Sequence, residues 1–440
     1  MADWKEYYEN HIVTAEEAAN LIESGDRIWA GCTICVPYDE LDVLTDRYEE
    51  LEDVQIYTNV MARPLKMFTD PAKYKKAFHH RSYFPGPVEH AAYKMGMVSY
   101  LSVPYAYFPG SVKEQNINVV YTEVCPPSED GTINLGAAGA FLGSEVIAAG
   151  TVTKLIGVIN ENHKPVKCER EGFLDIPVEK FDAFVLNTHA HLEAADGAPR
   201  PVDEQIANNI MAYVQDGDTV QVGKGALGNA IGQYLTQMNN VKVNSEILGD
   251  WIIPLCEKGI ATEVRCAGYF GMKPLYDFCE AKDDIIYDSV THMASIDEMS
   301  KHDTFVAINA CMMADLTGQS ASEGPGTHQH SCVGGQLDFC KGANYLRNQG
   351  KRGFNFLAFH ATRTDKEGNL VSNVVFNFPP ATAVSLPRSE AMYYATEYGV
   401  ADLWGKTLQE RAKAMIAIAH PDFREELTRK AIESGLLPNA

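Results

Sequence analysis

Gly223-Lys-Gly-Ala-Leu-Gly228 is the segment whose residue types and spacing best suit chemistry on a bound phosphate group. It satisfies the pattern G-x-G-x-x-G, follows a predicted strand and opens a predicted helix, as in dinucleotide-binding proteins. Glu246 lies 23 residues (246 − 223) beyond the first glycine, close to the position at which an acidic residue would contact a ribose. On pattern alone, these residues predict the nucleotide site of an NAD-dependent dehydrogenase.

The physical properties of these residues do not identify a particular cofactor. Glycines let another group approach the backbone, and free N–H groups at a helix N-terminus suit any phosphate or developing oxyanion. The same glycines also suit a tight strand-to-helix turn without a ligand. Glu246 follows a short β-branched run, so it either points into the ligand crevice of an α/β sheet or belongs to a helix cap, Asn244-Ser-Glu. The residues alone leave these alternatives open.

Three further patterns contain residue types that suit chemistry. In Ser331-Cys-Val-Gly-Gly-Gln-Leu-Asp-Phe339, the paired glycines supply unhindered amides that would line a site or form a turn. Cys32-Thr-Ile-Cys35 has the spacing of a redox dithiol, but Val-Pro follows where such a motif should open a helix. His328 and His330 are two residues apart after a loop rich in Gly and Pro, which favours an ordinary polar loop over a metal site. The sequence therefore predicts no metal site.

The elements that must position these residues recur in two halves of the chain. Thr14-Ala-Glu-Glu17 is a capping box that opens a helix, and a strand is predicted at Arg27–Gly31. A helix at Asp203–Gln215 and a strand at Thr219–Gly223 repeat that order, so that IESGDRIWAG parallels VQDGDTVQVG. The repetition predicts two similarly built open α/β domains, residues 1–198 and 199–440, with the boundary in a polar, proline-bearing stretch.

Apolar runs alternate with helical or loop segments along both halves, which predicts mostly parallel sheets and an α/β fold class. The predicted strands are Val54–Tyr57, Ile117–Tyr121, Lys154–Ile159, Val241–Val243, Thr304–Asn309 and Phe354–Ala358. A second capping box, Thr407-Leu-Gln-Glu410, predicts a helix near the C-terminus.

Composition excludes several classes of protein. The 440 residues carry a formal charge of −22, from 59 acidic and 37 basic residues, which disfavours binding to nucleic acid or to an anionic membrane. The N-terminus lacks the features of a signal peptide and no apolar run reaches about 18 residues, so we predict a cytoplasmic protein. Ten scattered cysteines are then expected to be reduced thiols.

Taken together and in order, these segments resemble the acetyl-CoA hydrolase/transferase family, which includes 4-hydroxybutyrate and butyryl-CoA:acetate CoA-transferases. The resemblance covers most of the chain. It rests on Pro126-Pro127 with Asp130-Gly131, the Gly-x-Gly loop at Gly223, Asn244-Ser-Glu246, Ile308–Cys311 with Asp315 and Thr317–Gln319, Val333–Phe339, Thr396–Leu403, Gly405–Ala412 and Ala419–Phe423.

The resemblance implies an acyl-CoA:carboxylate CoA-transferase of NagB/RpiA-like fold, with the active site at the interface of the two domains. Glu246 would be the catalytic nucleophile and would carry a glutamyl-CoA thioester. A short-chain acyl group such as butyryl or 4-hydroxybutyryl, with acetate as co-substrate, would be exchanged without ATP or a metal. The resemblance also implies a homodimer or higher homo-oligomer and a role in fermentation.

The resemblance assigns further roles residue by residue. Asn309 and Glu397 match positions that hold the incoming carboxylate in relatives. Backbone amides near the CoA and the tetrahedral oxyanion would come from Gly223, Lys224, Gly225, Ala226, Leu227, Gly334 and Gly335.

The chain departs from the family pattern at Lys224 and at Gly228-Asn229, where relatives usually carry an aliphatic residue and Pro-Asp. Lys224 would attract CoA phosphates or a second substrate carboxylate, or would face solvent. The segment Gly259–Phe270 is shorter than in relatives. The acyl group therefore stays open, with His328, His330, His360 and Tyr83 as candidates for lining its pocket.

Three alternative functions predict different behaviour. An acyl-CoA hydrolase would use the same Glu246 intermediate but would turn over without an acceptor acid. An NAD-dependent dehydrogenase would bind nicotinamide and place Glu246 on a ribose. A non-catalytic sensor would bind CoA whether or not Glu246 was present.

Overall fold

The computed structural model describes residues 4–438, which form two compact units. The first unit contains the chain up to Ala195 together with Arg265–Met293, and the second contains Asp196–Val264 and the chain from Ala294 onward. A single break at residue 198 was expected, whereas the structure returns the chain to the first unit for Arg265–Met293. Across residues 4–438, no helix has the length and apolar character needed to cross a membrane.

The described part of the chain contains twenty-three strands, numbered here in chain order. They are β1 Ile12–Val13, β2 Arg27–Cys32, β3 Val54–Asn59, β4 Phe78–Ser82, β5 Val98–Tyr100, β6 Val119–Val124, β7 Thr132–Asn134, β8 Lys154–Ile159, β9 Asp175–Pro177, β10 Ala183–Leu186, β11 Thr219–Val222, β12 Val241–Leu248, β13 Ala261–Tyr269, β14 Ile285–Tyr287, β15 Thr304–Ala310, β16 Met313–Asp315, β17 Ser320–Ala321, β18 Arg352–Ala358, β19 Thr362–Thr364, β20 Leu370–Ser372, β21 Val374–Val375, β22 Tyr393–Thr396 and β23 Gly399–Asp402.

The same residues, 4–438, contain sixteen α-helices, the first of which precedes β1. They are α1 Trp4–Asn10, α2 Ala15–Asn20, α3 Tyr38–Leu44, α4 Pro71–Tyr74, α5 Pro87–Lys94, α6 Phe108–Glu114, α7 Gly136–Ala148, α8 Pro201–Met211, α9 Ala226–Leu235, α10 Ile252–Glu257, α11 Lys273–Glu280, α12 Val290–Met293, α13 Ile296–Met299, α14 Gln336–Asn348, α15 Leu408–Ala417 and α16 Pro421–Glu433.

The first unit is built on an eight-stranded parallel sheet with the order β1-β10-β8-β6-β2-β3-β4-β5. Strands β3 and β6 are buried along their whole length, as expected of parallel strands covered on both faces. The returning segment joins this unit through Arg170, whose Nε donates to Asp288 Oδ1 at 2.8 Å. Asp288 is buried, so this bond fixes the segment inside the unit.

The second unit contains the strand order β12-β11-β15-β18-β22-β23, in which only the last pair is antiparallel. Helix α14 packs on β15 and β18, and α8 packs on α9. Since β12, β11, β15, β18 and β22 run parallel, their carboxyl ends lie along one edge of the sheet. In open α/β sheets this is the edge at which ligands bind.

The local signals of the sequence account for several element boundaries. Thr14 accepts a hydrogen bond from the Glu17 amide while Glu17 accepts one from the Thr14 amide, so the predicted capping box opens α2. Thr407 and Glu410 form the same box at the start of α15. The predicted α/β fold class, with mostly parallel sheets, is confirmed.

Strand β12 differs from the prediction. The sequence predicted a strand of three residues with Glu246 beyond it, but β12 continues to Leu248 and contains Glu246. The hypothesis that Asn244-Ser-Glu forms a helix cap is therefore wrong, because the segment is extended and its serine bonds to the neighbouring strand.

Candidate active site

Three parallel neighbours, β12, β11 and β15, bring most of the predicted site residues to one edge of the second unit. Glu246 is near the end of β12, the glycine loop follows β11, and Asn309 is near the end of β15. The Gly223 amide donates to the Ile308 carbonyl at 3.2 Å, which fixes the start of the loop beside Asn309. Residues that are far apart in sequence thus share one sheet edge.

Ser245 connects Glu246 to the glycine loop. Its hydroxyl accepts a hydrogen bond from the Val222 amide at 3.0 Å and donates one to the Val222 carbonyl at 2.8 Å. Ser245 is fully buried, so this pair of bonds is shielded from water. Ser245, which precedes Glu246, therefore holds Val222, which precedes the glycine loop.

The glycine loop has a backbone that requires two of its glycines. Gly225 has φ +116°, in the left-handed region that favours glycine, and it precedes α9. A Cβ atom on Gly228 would stand 2.1 Å from the Gly223 carbonyl oxygen. The N-cap residue of α9 is Gly225, which has no side chain to accept from the first amides of the helix. Those amides are therefore available to another acceptor.

Lys224 forms an ion pair within this unit. Its Nζ lies 2.6 Å from Asp196 Oδ1, and the Asp196 side chain is only 8% exposed against 25% for Lys224. Asp250 is close enough that burial and the Asp196 charge raise the pKa of its carboxyl, while Lys224 opposes the increase. Lys224 therefore lies among acidic side chains rather than pointing free into solvent.

Gly335 lies directly against Glu246. A Cβ atom on Gly335 would stand 2.7 Å from Glu246 Oε2 and 3.0 Å from the Phe339 ring. Gly335 is the residue before α14, and Gly334 before it has φ +56°. The paired glycines therefore let the Glu246 carboxylate lie beside the backbone at the start of a helix.

The surroundings of Glu246 disfavour its charged form. The residue is half-buried by surface, and its carboxylate is turned toward Gly335. Burial, and in second place the charge of Asp338, raise the pKa of Glu246 to about 8. Within residues 4–438, no hydrogen bond to this carboxylate is found that would offset the effect of burial. Asp338 belongs to the Val333–Phe339 motif, but nothing in the sequence pattern had assigned it an influence on Glu246.

Asn309 and Glu397 are each bound to a neighbour. The Asn309 amide pairs reciprocally with that of Gln221, at 3.0 Å and 3.3 Å, and Gln221 is buried. Glu397 follows β22 and accepts a hydrogen bond from the Ala361 amide at 2.9 Å. Asn309 thus lies one strand from the glycine loop, whereas Glu397 lies two strands further along the sheet edge.

The remaining candidates fall in different surroundings. His360 follows β18, and its Nε2 lies 2.6 Å from Oδ1 of the buried Asp203. Tyr83 is buried in the first unit, with its hydroxyl 2.9 Å from Ser111. His328 and His330 have ring centroids 6.5 Å apart.

The two cysteines that have the spacing of a redox dithiol lie in the interior of the first unit. Cys32 and Cys35 are both buried free thiols, and Cys32 Sγ lies 3.0 Å from the Ala138 carbonyl oxygen. Within residues 4–438, no group of three or more His, Cys, Asp or Glu side chains is arranged to hold a metal ion.

Comparison with protein families gives two matches that together span most of the chain. Residues 1–191 match the family model described as acetyl-CoA hydrolase/transferase N-terminal domain. Residues 271–431 match the model described as acetyl-CoA hydrolase/transferase C-terminal domain.

Two curated proteins are similar over nearly their whole length. A butyryl-CoA:acetate CoA-transferase from Anaerostipes caccae is 30% identical, over 97% of this chain and 97% of that protein. A 4-hydroxybutyrate coenzyme A transferase from Clostridium kluyveri is also 30% identical, over 97% of this chain and 98% of that protein.

Solved structures show the same fold. RipA from Yersinia pestis superposes with a TM-score of 0.87 at 27% identity, and the match covers 99% of this chain and 100% of that chain. A 4-hydroxybutyrate CoA-transferase from Porphyromonas gingivalis gives a TM-score of 0.77 at 24% identity, covering 98% and 100% of the two chains.

Proposed function

The chain belongs to the acetyl-CoA hydrolase/transferase family, and from this premise we propose that it is an acyl-CoA:carboxylate CoA-transferase with Glu246 as its nucleophile. The observation that carries the proposal is the position of the Glu246 carboxylate. It lies at the carboxyl edge of a parallel sheet, against the paired glycines, and it is tied through Ser245 to the strand that leads into the glycine loop.

The reaction would proceed through two covalent states of Glu246. The ionised carboxylate attacks the thioester carbonyl, the C–S bond breaks, and CoA leaves as the thiolate. The thiolate then attacks the glutamyl carbonyl of the acyl-glutamyl anhydride, which releases the first acid and leaves a glutamyl-CoA thioester. An acceptor acid reverses both steps, so each bond that breaks is replaced by one of comparable energy.

Backbone amides at two helix starts would stabilise the negative charge that develops in these steps. The first amides of α9 follow Gly225 without a side-chain cap, and Gly335 touches the Glu246 carboxylate at the start of α14. Preorganised donors of this kind contribute about 3 to 4 kcal/mol to acyl transfer. The residues assigned to CoA and the oxyanion are Gly223, Lys224, Gly225, Ala226, Leu227, Gly334 and Gly335.

The carboxylate substrate would lie near Asn309, whose side-chain N–H groups are shared with Gln221. Glu397, whose carboxylate accepts a hydrogen bond from the Ala361 amide, is the second residue assigned to that substrate. Short acyl groups such as butyryl or 4-hydroxybutyryl, with acetate as co-substrate, are the proposed substrates. A cytoplasmic homo-oligomer with a role in fermentative metabolism completes the proposal.

Intact-protein mass spectrometry tests the nucleophile. The wild type, Glu246→Gln and the control Glu257→Gln are incubated with a panel of short acyl-CoAs, and borohydride is added to reduce any thioester. We expect a CoA-sized adduct on the wild type and on Glu257→Gln, lost on borohydride treatment or on adding acetate, and none on Glu246→Gln.

The same experiment separates the alternatives. An adduct that disappears in water alone, without an acceptor acid, would identify a hydrolase. An unmodified wild type with every donor would contradict the covalent mechanism and would favour the remaining alternatives, an NAD-dependent dehydrogenase or a non-catalytic CoA sensor.

A further inference from the structure

Gln336 is the first residue of α14 and directly follows Gly335, the residue that lies against the Glu246 carboxylate. Its side chain makes two hydrogen bonds to segments outside the helix. The amide Nε2 donates to the Ala310 carbonyl at 2.6 Å, and Oε1 accepts from the Ser322 hydroxyl at 2.8 Å. Gln336 therefore ties the start of α14 to two other parts of the second unit.

Both partners of Gln336 are themselves held by hydrogen bonds. Ala310 is the last residue of β15, it immediately follows Asn309, and β15 is paired with β18 up to that residue. The Ser322 amide donates to the Ser385 hydroxyl at 2.9 Å, and Ser385 is buried. One of the two anchors of α14 thus lies next to a residue assigned to the carboxylate substrate.

The two residues before α14 cannot hold the helix start in place by themselves. Gly334 has φ +56° and Gly335 has no side chain, and glycine has more conformational freedom to lose than any other residue. The Glu246 carboxylate fills the space that a Cβ atom on Gly335 would need, so a stiffer residue does not fit there. The anchor must come from a side chain beyond the glycines, and Gln336 is the first of these.

The position of this helix start matters for the charge that develops during acyl transfer. Gly335 is the N-cap residue, and the amides of Gln336 and Leu337 have no acceptor within the helix. Donors of this kind stabilise an oxyanion when they are already in place before the reaction. A helix start that moved on its two glycines would lose this preorganisation and its contact with Glu246.

We propose that Gln336 is a positioning residue that holds the amides at the start of α14 against the Glu246 carboxylate, a role that rests on Glu246 being the nucleophile. Through its bond to Ala310, it also keeps these amides at a fixed place relative to Asn309. Each polar end of the Gln336 side chain has a protein partner, so the residue is not assigned a contact with either substrate. Its loss should slow the chemical step rather than weaken substrate binding.

Steady-state kinetics on Gln336→Met test this role, because methionine keeps the length of the side chain and removes both hydrogen bonds. We expect kcat and kcat/KM to fall by the same factor, about tenfold to a hundredfold, for acyl-CoA and for the acceptor acid. Gln336→Glu, ionised at neutral pH, keeps the acceptor for Ser322 but has no donor for Ala310, and it should be equally slow. Gln409→Met, at an exposed glutamine in the first turn of α15, is the matched control and should keep the wild-type kcat.

A kinetic double-mutant cycle separates the positioning of Glu246 from a general loss of structure. Gln336→Met is combined with Gly335→Ala, which disturbs the same contact from the glycine side. The two losses in kcat/KM should overlap, so that the double variant is clearly faster than the product of the single effects predicts.

Multiplicative losses in that cycle would overturn the role of Gln336, and so would an unchanged kcat in Gln336→Met or a loss confined to KM. Should Gln336→Met lack a cooperative unfolding transition, Gln336→Glu decides by the same criteria. Failure of the nucleophile itself would instead appear as a missing CoA adduct on the wild type, whereas failure of the role of Gln336 leaves that adduct in place.

Discussion

Gly335 and Glu246 are so close that no side chain fits between them, because a Cβ atom on Gly335 would stand 2.7 Å from Oε2. Gly335 has φ −87°, a conformation open to any residue, so backbone strain is not the reason for a glycine here. The requirement is the space taken by the carboxylate and, on the other side, by the Phe339 ring at 3.0 Å.

Gly335→Ala should therefore impair transfer without unfolding the protein. The added methyl group displaces the Glu246 carboxylate, and a misplacement of about 1 Å can cost about 100-fold in rate. The measurement is kcat/KM beside a thermal melt. Gly110→Ala is the control, because its Cβ would meet nothing within 4 Å. A fully active Gly335→Ala would mean that the carboxylate has another productive position.

Lys224 and Asp196 should be energetically coupled. Lys224→Met leaves a buried carboxylate unpaired beside Asp250, which we expect to destabilise the protein by about 1 to 3 kcal/mol. Asp196→Asn together with Lys224→Met should recover part of that loss. Denaturant unfolding of the four proteins of the double-mutant cycle measures the coupling, expected at about 1 kcal/mol or more.

The kinetics of the same four proteins test the other interpretation of Lys224. Additive stabilities with an equal rise in the KM for acyl-CoA in both lysine variants would contradict the ion-pair role. That result would assign the ammonium group to CoA phosphates.

Ser245→Ala should weaken both the fold and the site. It removes the acceptor of the buried Val222 amide, which costs about 1 to 3 kcal/mol, and it frees the start of the glycine loop. We expect a lower Tm and a kcat/KM reduced by about tenfold or more. Ser434→Ala is the matched control, since that hydroxyl bonds to a carbonyl at the exposed end of α16. Equal Tm values for the two variants would refute the bridging role.

Glu123 and two histidines form a hydrogen-bonded cluster in the first unit. His163 Nε2 and His189 Nε2 each lie 3.0 Å from the Glu123 carboxylate. These two bonds hold the pKa of Glu123 at about 2 against the opposing effect of burial. The Glu123 carboxylate raises the pKa of His189 to about 9, whereas burial lowers that of His163.

Stability should fall on both sides of neutral pH because of this cluster. His189 contributes fully below its unfolded pKa of 6.5, and the contribution is lost as pH rises toward 9. Since the His189 side chain is one-third exposed, solvent screens its interaction, and we expect it to contribute about 1 to 2 kcal/mol to the free energy of unfolding. The contribution of Glu123 is present above pH 4.5 and is lost as pH falls toward 2.

Thermal melts at about pH 6 and about pH 9.5 check the histidine arm of this prediction. The wild type and His328→Gln, a variant at an exposed loop histidine, should lose Tm between the two values. His189→Gln should show a smaller loss. A parallel decline in all three proteins would rule out His189 as the source.

The sequence predicted much of the fold because its signals are local. The capping boxes at Thr14 and Thr407 and the apolar strand at Lys154–Ile159 are where the patterns indicated. Strand β12 was too short in the prediction because Ser245 is held extended by Val222, 23 residues away in the chain. The strand propensity of a segment depends on its own residues, so it cannot predict a hydrogen bond to a partner so far away in the chain.

The candidate site was found through order of motifs rather than through geometry. Glu246 and the paired glycines were singled out, and the structure brings Gly335 against Glu246. The ion pair of Lys224 with Asp196 spans 28 positions, and the effect of Asp338 depends on how α14 is placed. Charged residues that interact through space have no fixed spacing in the sequence, so a sequence pattern cannot predict such interactions.

The return of Arg265–Met293 to the first unit has a consequence for synthesis on the ribosome. When residue 195 emerges from the ribosome, the first unit still lacks this segment. Arg170 cannot form its bond with Asp288 until 118 further positions beyond Arg170 have been synthesised. The nascent chain must therefore keep an unfinished first unit while the glycine loop and β12 are being made. Cutting the gene between the two halves predicted from the sequence would separate Arg170 from Asp288, so we expect neither fragment to express as a folded protein alone.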